Sequence, residues 1–89
     1  MHSRQVMIVN KLGLHARAAA KLVRLAGGFA CDIRLLREQR EVSAKSIMGG
    51  MMLAAAQGTQ LEIQADGEDA EQALEALEEL VSRRFDEAE

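Results

Sequence analysis

Eighty-nine residues with a net charge of −3, one cysteine, two phenylalanines and no tyrosine or tryptophan provide one modest core and exclude a second catalytic module. No apolar run is long enough to span a bilayer, and no charged-then-apolar leader precedes a small-residue cleavage site, so a cytoplasmic protein that does not engage the membrane is expected. Cys31 has no partner for an internal disulfide. With only His2 and His15 beside it there is no metal-ligand spacing, so Cys31 reads as a small buried hydrophobe and His2 as an exposed terminal residue.

In chain order, Arg4 to Val9 is a short apolar run suited to a strand, and Asn10 to Gly13 has the composition of a turn. His15 then stands one residue ahead of a strongly helical run. An N-cap faces backbone amides that lack partners, with the positive end of the helix dipole behind them, and such a place accepts a phosphate. Serine, threonine, aspartate and asparagine lead the N-cap ranking. A histidine there calls for a reason beyond structure, and reversible phosphorylation of the ring supplies one.

From Ala16 the apolar period becomes helical: Ala19, Leu22, Val23 and Ala26 fall on one stripe, Leu14 is placed to staple it, and Gly27 and Gly28 suit a left-handed stop. Phe29, Cys31, Ile33 and Leu35 alternate with Ala30, Asp32 and Arg34 as a second strand, and Arg40 to Ala44 returns as a third. Ser46 opens a short apolar helix, Ile47 to about Leu53, as its N-cap. After Gly58, Leu61, Ile63 and Ala65 alternate with Glu62 and Gln64. The last helix carries Ala70, Ala73, Leu74, Leu77 and Val81 on one face and Glu71, Glu75, Glu78 and Glu79 on the other, with Asp69 as candidate cap. Four amphipathic strands and three one-striped helices predict an α+β fold, a mainly antiparallel four-stranded sheet with all helices on one face, in a single domain over 1–89.

Charge is divided along the chain. Residues 1–45 hold nine Lys or Arg against three acids, a balance of +6, whereas residues 46–89 hold Arg83 and Arg84 against eleven acids, a balance of −9. A basic surface suits nucleic acid, anionic membrane or an acidic protein. With Phe29 and Phe85 as the only aromatics, base-stacking platforms are missing, so nucleic-acid binding is disfavoured and an acidic protein partner is expected.

Asn10 to Lys21, with Gly13-Leu14-His15-Ala16-Arg17, the string Lys45-Ser46-Ile47-Met48-Gly49 and the Gly67 to Leu77 pattern together resemble HPr, the histidine-containing phosphocarrier of the bacterial phosphotransferase system. The resemblance implies a βαββαβα open-faced sandwich without a cofactor. It also implies that His15 accepts a phosphoryl group from phosphoenolpyruvate through enzyme I and passes it to an enzyme IIA domain. A carrier of this kind is a substrate of its partners and not itself an enzyme, and is expected to work as a monomer.

The residues supply physical reasons for that chemistry. A neutral imidazole nitrogen attacks phosphorus directly. The phosphoryl oxygens then find donors in the amides of Ala16 and Arg17, and the Arg17 guanidinium neutralises charge during transfer. Lys11, Lys21, Arg24 and Lys45 form the expected docking patch. By analogy with HPr, Ile47 and Met51 face enzyme I, with Met48 expected nearer the core. In some HPr proteins the serine matching Ser46 is phosphorylated by a dedicated HPr kinase/phosphorylase, which makes Ser46 a candidate regulatory site beside its capping role. One departure is Ala18, where many HPr sequences have proline. Alanine restores a backbone donor at the helix start, and the Ala-Arg-Ala-Ala form resembles the nitrogen-related branch of the family, whose carriers serve regulation more than sugar uptake. The alternative functions are therefore a nitrogen-branch regulator, or signalling mainly through Ser46.

Overall fold

The computed structural model describes residues 1–89. Along the chain lie β1 (His2–Met7), α1 (Ala16–Ala26), β2 (Asp32–Arg37), β3 (Arg40–Ser43), α2 (Ile47–Met52), β4 (Gln60–Asp66) and α3 (Ala70–Ser82), followed by a 3-10 turn at Arg84–Asp86. The strands form one sheet in the order β1-β4-β2-β3, antiparallel throughout. This is the expected α+β architecture.

Period-two alternation decides which side of the sheet is covered. Ile33, Leu35, Leu61, Ile63 and Ala65 are almost wholly buried. Their neighbours Arg34, Glu62 and Gln64 share the opposite face, where Gln5 donates to Glu62 at 3.2 Å and Arg34 pairs with Glu41 at 3.3 Å. The covering layer comes from Ala19, Leu22 and Ala26 of α1 and from Ala73, Leu74, Leu77 and Val81 of α3, all buried. Each fully buried Leu or Ile contributes roughly 1.5–3 kcal/mol, far more than intrinsic helix propensity, so the apolar stripe is what fixes each helix to the sheet.

Several local expectations are corrected. β1 begins at His2 and ends at Met7, two residues earlier than the run Arg4 to Val9, because β4 reaches far enough to pair Ala65 with His2. Ile8 stays hydrogen-bonded to the Gly58–Thr59 turn, at 2.9 Å through its amide and 2.7 Å through its carbonyl, but outside the ladder. β2 starts at Asp32 and not at Phe29. The amides of Ala30 and Cys31 donate instead to the two carboxylate oxygens of Asp69, at 2.8 and 3.0 Å. For the same reason Asp69 makes no side-chain cap on α3.

Gly27 is right-handed, with φ −65°, and α1 closes by tightening: Gly28 donates to Leu25 and Phe29 to Ala26, both at 3.1 Å. Met48, expected nearer the core, is 73% exposed. The inward face of α2 is formed by the buried Gly49 and Gly50, which let the helix approach Val42 and Ala19 closely and leave the large side chains outside.

Asp69 thus ties the start of β2 to the start of α3, and its carboxyl is held below the usual carboxylate range, chiefly by the Ala30 amide and then by Cys31. A depressed folded value means that this stabilisation is complete above about pH 4, the ordinary range, and is lost as the pH falls through the folded value. Asparagine offers one acceptor for two amides. Asp69→Asn is therefore expected to lower the denaturation midpoint at pH 7, with the gap to wild type closing as both are acidified below about pH 4; urea titrations across that range check it.

Candidate functional site

The loop between β1 and α1 is shaped from within. Asn10 is fully buried, and its Nδ2 donates to the Gly13 carbonyl at 2.8 Å while the Gly13 amide donates back to the Asn10 carbonyl at 3.2 Å. Gly13 has φ +70°, and a Cβ there would lie 2.5 Å from the Ala55 carbonyl oxygen. Leu14 donates to that same carbonyl at 2.8 Å and is buried, so the loop is fastened to the 53–56 segment before the helix begins.

His15 follows as the N-cap of α1, in extended conformation (φ −79°, ψ 178°), with its carbonyl accepting from Ala19 at 2.8 Å. Its ring does not cap the helix. The amides of Ala16, Arg17 and Ala18 have no acceptor within the chain, and the exposed Arg17 guanidinium makes no ion pair. Those are the unpaired donors that the sequence placed beside His15.

The unforeseen residue is Glu87. After α3 the backbone runs through three consecutive left-handed residues, Arg84 (φ 60°), Phe85 (φ 53°) and Asp86 (φ 65°), which carry the chain back across the head of α1. Phe85 is wholly buried, and Lys21 donates to its carbonyl at 2.7 Å. Glu87 then reaches the loop: Oε1 accepts from Asn10 Nδ2 at 3.0 Å, and Oε2 meets His15 Nε2 in a short contact. Beyond it, the Glu89 carbonyl accepts from the Lys11 amide. Burial pushes the Glu87 carboxyl up, but hydrogen bonds from Asn10 and His15, with the charges of His15 and Lys21, outweigh it and hold the group below the usual range.

Because a carboxylate only accepts, the hydrogen in the His15 contact belongs to Nε2, and Nδ1 is left without a partner. The only sequence signal for this segment is Phe85, four residues beyond Val81 on the apolar stripe of α3. An open cleft of about 610 Å³ collects His15, Arg17, Lys11 and Leu12 with Glu87, Ala88 and Glu89.

The remaining expected residues are more dispersed. Ser46 caps α2, its Oγ accepting from the Gly49 amide at 3.1 Å. Lys21 is committed to Phe85, Lys45 donates to the Phe29 carbonyl at 2.8 Å, and Lys11 lies 3.4 Å from the Glu89 carboxylate; Arg24 is exposed without an ionic partner. Ile47, Met48, Met51 and Met52 form an exposed apolar group on α2. Cys31 is buried, which pushes its thiol up, with Asp69 adding to the effect. No group of three or more His, Cys, Asp or Glu side chains converges as a metal site.

Fold and site together define the class: an open-faced α+β sandwich that sets an imidazole at the head of its first helix, before three unpaired amides. The family described as "PTS HPr component phosphorylation site" matches residues 2–83. The phosphocarrier protein HPr of Cupriavidus necator is 51% identical over 89 residues, covering all of both chains, and the phosphocarrier protein NPr of Shewanella violacea is 46% identical over 85 residues, covering 96% of this chain and 93% of that one. A crystal structure of HPr-C-His from Thermoanaerobacter tengcongensis superposes with a TM-score of 0.96 at 40% identity, over the full length of both. The chain belongs to the HPr family and is a phosphocarrier protein of the phosphotransferase system.

Gly13 and Gly58 both have positive φ, but a Cβ at Gly58 (φ +89°) would meet nothing within 4 Å. Both alanine variants suffer the same backbone penalty, and only Gly13→Ala adds a collision with the 55–56 backbone. It is expected to cost roughly 2 kcal/mol more than Gly58→Ala, read from urea midpoints at equal slope.

Proposed function

We propose that this chain, as a single domain, accepts a phosphoryl group on Nδ1 of His15 from phosphorylated enzyme I and passes it to an enzyme IIA domain. The observation that carries this reading is the N-cap imidazole with its free ring nitrogen, set ahead of the acceptor-less amides of Ala16, Arg17 and Ala18. The nitrogen–phosphorus bond at His15 forms as the donor's bond to phosphorus breaks. Arg17, exposed and unpaired, neutralises charge on the transferring group, and the three amides receive its oxygens. In this reading Ala18 contributes a donor that a proline would lack. Catalysis here is positioning and electrostatics, so each larger partner completes the site in turn.

The exposed Ile47, Met48, Met51 and Met52, with Arg24 and those lysine faces that remain outward, form the docking surface for acidic partners. Flexible methionines suit a surface that accepts several of them. A monomer in the cytoplasm meets this requirement, because His15 must be presented to successive proteins. Ser46 is the regulatory position for an HPr kinase/phosphorylase: a phosphate there adds charge at the edge of the apolar group while the start of α2 tolerates it. Ala18 favours the nitrogen-related branch over sugar uptake as the pathway served.

Incubation with enzyme I and phosphoenolpyruvate is expected to give an acid-labile mass adduct of one phosphoryl group on wild type and none on His15→Ala; an adduct of equal yield on the variant refutes the assignment. Ser46→Asp should leave the fold intact by circular dichroism and slow transfer from enzyme I roughly tenfold, as like charge at an interface rim reduces association. An unaltered rate would remove Ser46 from the docking surface.

A further inference from the structure

The family match ends at residue 83, so the segment that reaches His15 lies beyond it. We propose that Glu87 is a positioning residue for His15, holding the hydrogen on Nε2 so that Nδ1 is the nucleophile, and facing the positive charge that the ring acquires when Nδ1 is phosphorylated. The inference rests on the carrier reading above and adds to it a residue supplied by the end of the chain.

The geometry is that of a built clamp. Glu87 is itself oriented: Oε1 accepts from the buried Asn10, whose other contact closes the turn that carries His15, while Oε2 takes the ring. The side chains of His15 and Glu87 are 28% and 18% exposed, so the contact is partly withdrawn from water and keeps more of its strength than a surface pair. Seating comes from Phe85, two residues earlier, buried and held by Lys21. A carboxylate on one imidazole nitrogen fixes the tautomer and ring orientation, and makes the other nitrogen the reactive one.

The step balances without proton loss. The Nδ1–phosphorus bond forms, the donor's nitrogen–phosphorus bond breaks, and Nε2 keeps its hydrogen. The ring then carries a positive charge directly opposite Glu87. On onward transfer the phosphorus bonds to the acceptor, the electron pair of the broken nitrogen–phosphorus bond returns to Nδ1 and cancels the ring's positive charge, and the neutral tautomer is restored, so one contact serves both directions.

The test compares wild type, Glu87→Ala and Glu87→Gln in the full chain. The first readout needs no partner: nitrogen-15 spectra of the His15 ring at neutral pH. A slowly exchanging Nε2–H signal is expected in wild type and in Glu87→Gln, whose amide oxygen still accepts, and is expected to be lost in Glu87→Ala. The second is the initial rate of phosphoryl transfer from phosphorylated enzyme I, expected to fall roughly tenfold in Glu87→Ala, with Glu87→Gln between the two because the hydrogen bond survives and the charge does not. A Glu87→Ala protein that retains the protected signal, or that transfers as fast as wild type or faster, overturns the clamp; the faster outcome would make Glu87 a guard over the ring. Wild type that takes no phosphoryl group at all sinks the carrier reading and the clamp's role together, whereas phosphorylation equally fast in wild type and Glu87→Ala sinks the clamp alone.

Discussion

The burial of Phe85 is the constraint on which the site's final form depends. Without it the last residues of the chain have no reason to turn back, and no carboxylate stands at the ring of His15. Three successive left-handed residues cost about 1–2 kcal/mol each, and complete burial of one phenylalanine returns roughly 3 kcal/mol at most. The cost, about 3–6 kcal/mol in all, equals or exceeds that return, so burial alone does not hold the segment. The polar contacts decide the balance: Lys21 on the Phe85 carbonyl, and Asn10 with His15 on Glu87. Hydrogen bonds with a charged partner contribute about 1.5–3 kcal/mol when shielded. A change at Asn10 or Lys21 therefore reaches His15 through the tail, even though neither side chain is bonded to the ring.

The same contacts change the meaning of the charge division. A basic first half and an acidic second half read as an outward positive surface, yet the fold brings the halves together. Arg4 meets Glu78 at 2.7 Å, Lys11 lies beside Glu89, and Glu87 sits among Asn10, His15 and the charge of Lys21. Lys21 and Lys45 spend a hydrogen each on carbonyls of their own chain. Exposed pairs of this kind are worth little in stability, but they remove positive charge from the field a partner meets. What remains unpaired near the site is arginine: Arg17 beside the ring and Arg24 further along α1.

Elements with a clean period were legible in the sequence. α1, α3 and β4 lie where their apolar spacing puts them, since burial of a stripe is a local pattern with a large energy behind it. His15 at the head of α1, and Ser46 as a cap, were legible for the same reason: each depends on residues within four positions. Boundaries set by distant partners were not. Nothing near Phe29 announces that a carboxylate 39 residues away takes the Ala30 amide, and nothing near Gly27 distinguishes a left-handed stop from a tightened turn. Glu87 is one of eleven acids in residues 46–89 and carries no local signal, because its role follows from a reversal of the backbone after Arg83, which no periodicity encodes.

Helix α2 shows how a small domain exposes an apolar group without loosening its core. Its sequence, Ile47-Met48-Gly49-Gly50-Met51-Met52, places both glycines inward, where a Cβ on Gly49 would lie 3.1 Å from Val42 and Gly50 lies against Ala19 and Leu14. The four large side chains must then face water, and an exposed apolar group is costly unless something periodically covers it. A patch of four residues is small against a standard protein interface, and affinity from so little area is modest. Under the proposed docking role that suits a carrier, whose partner must leave once the phosphoryl group has moved; the glycines that bring α2 against the core are what put these four side chains on the outside.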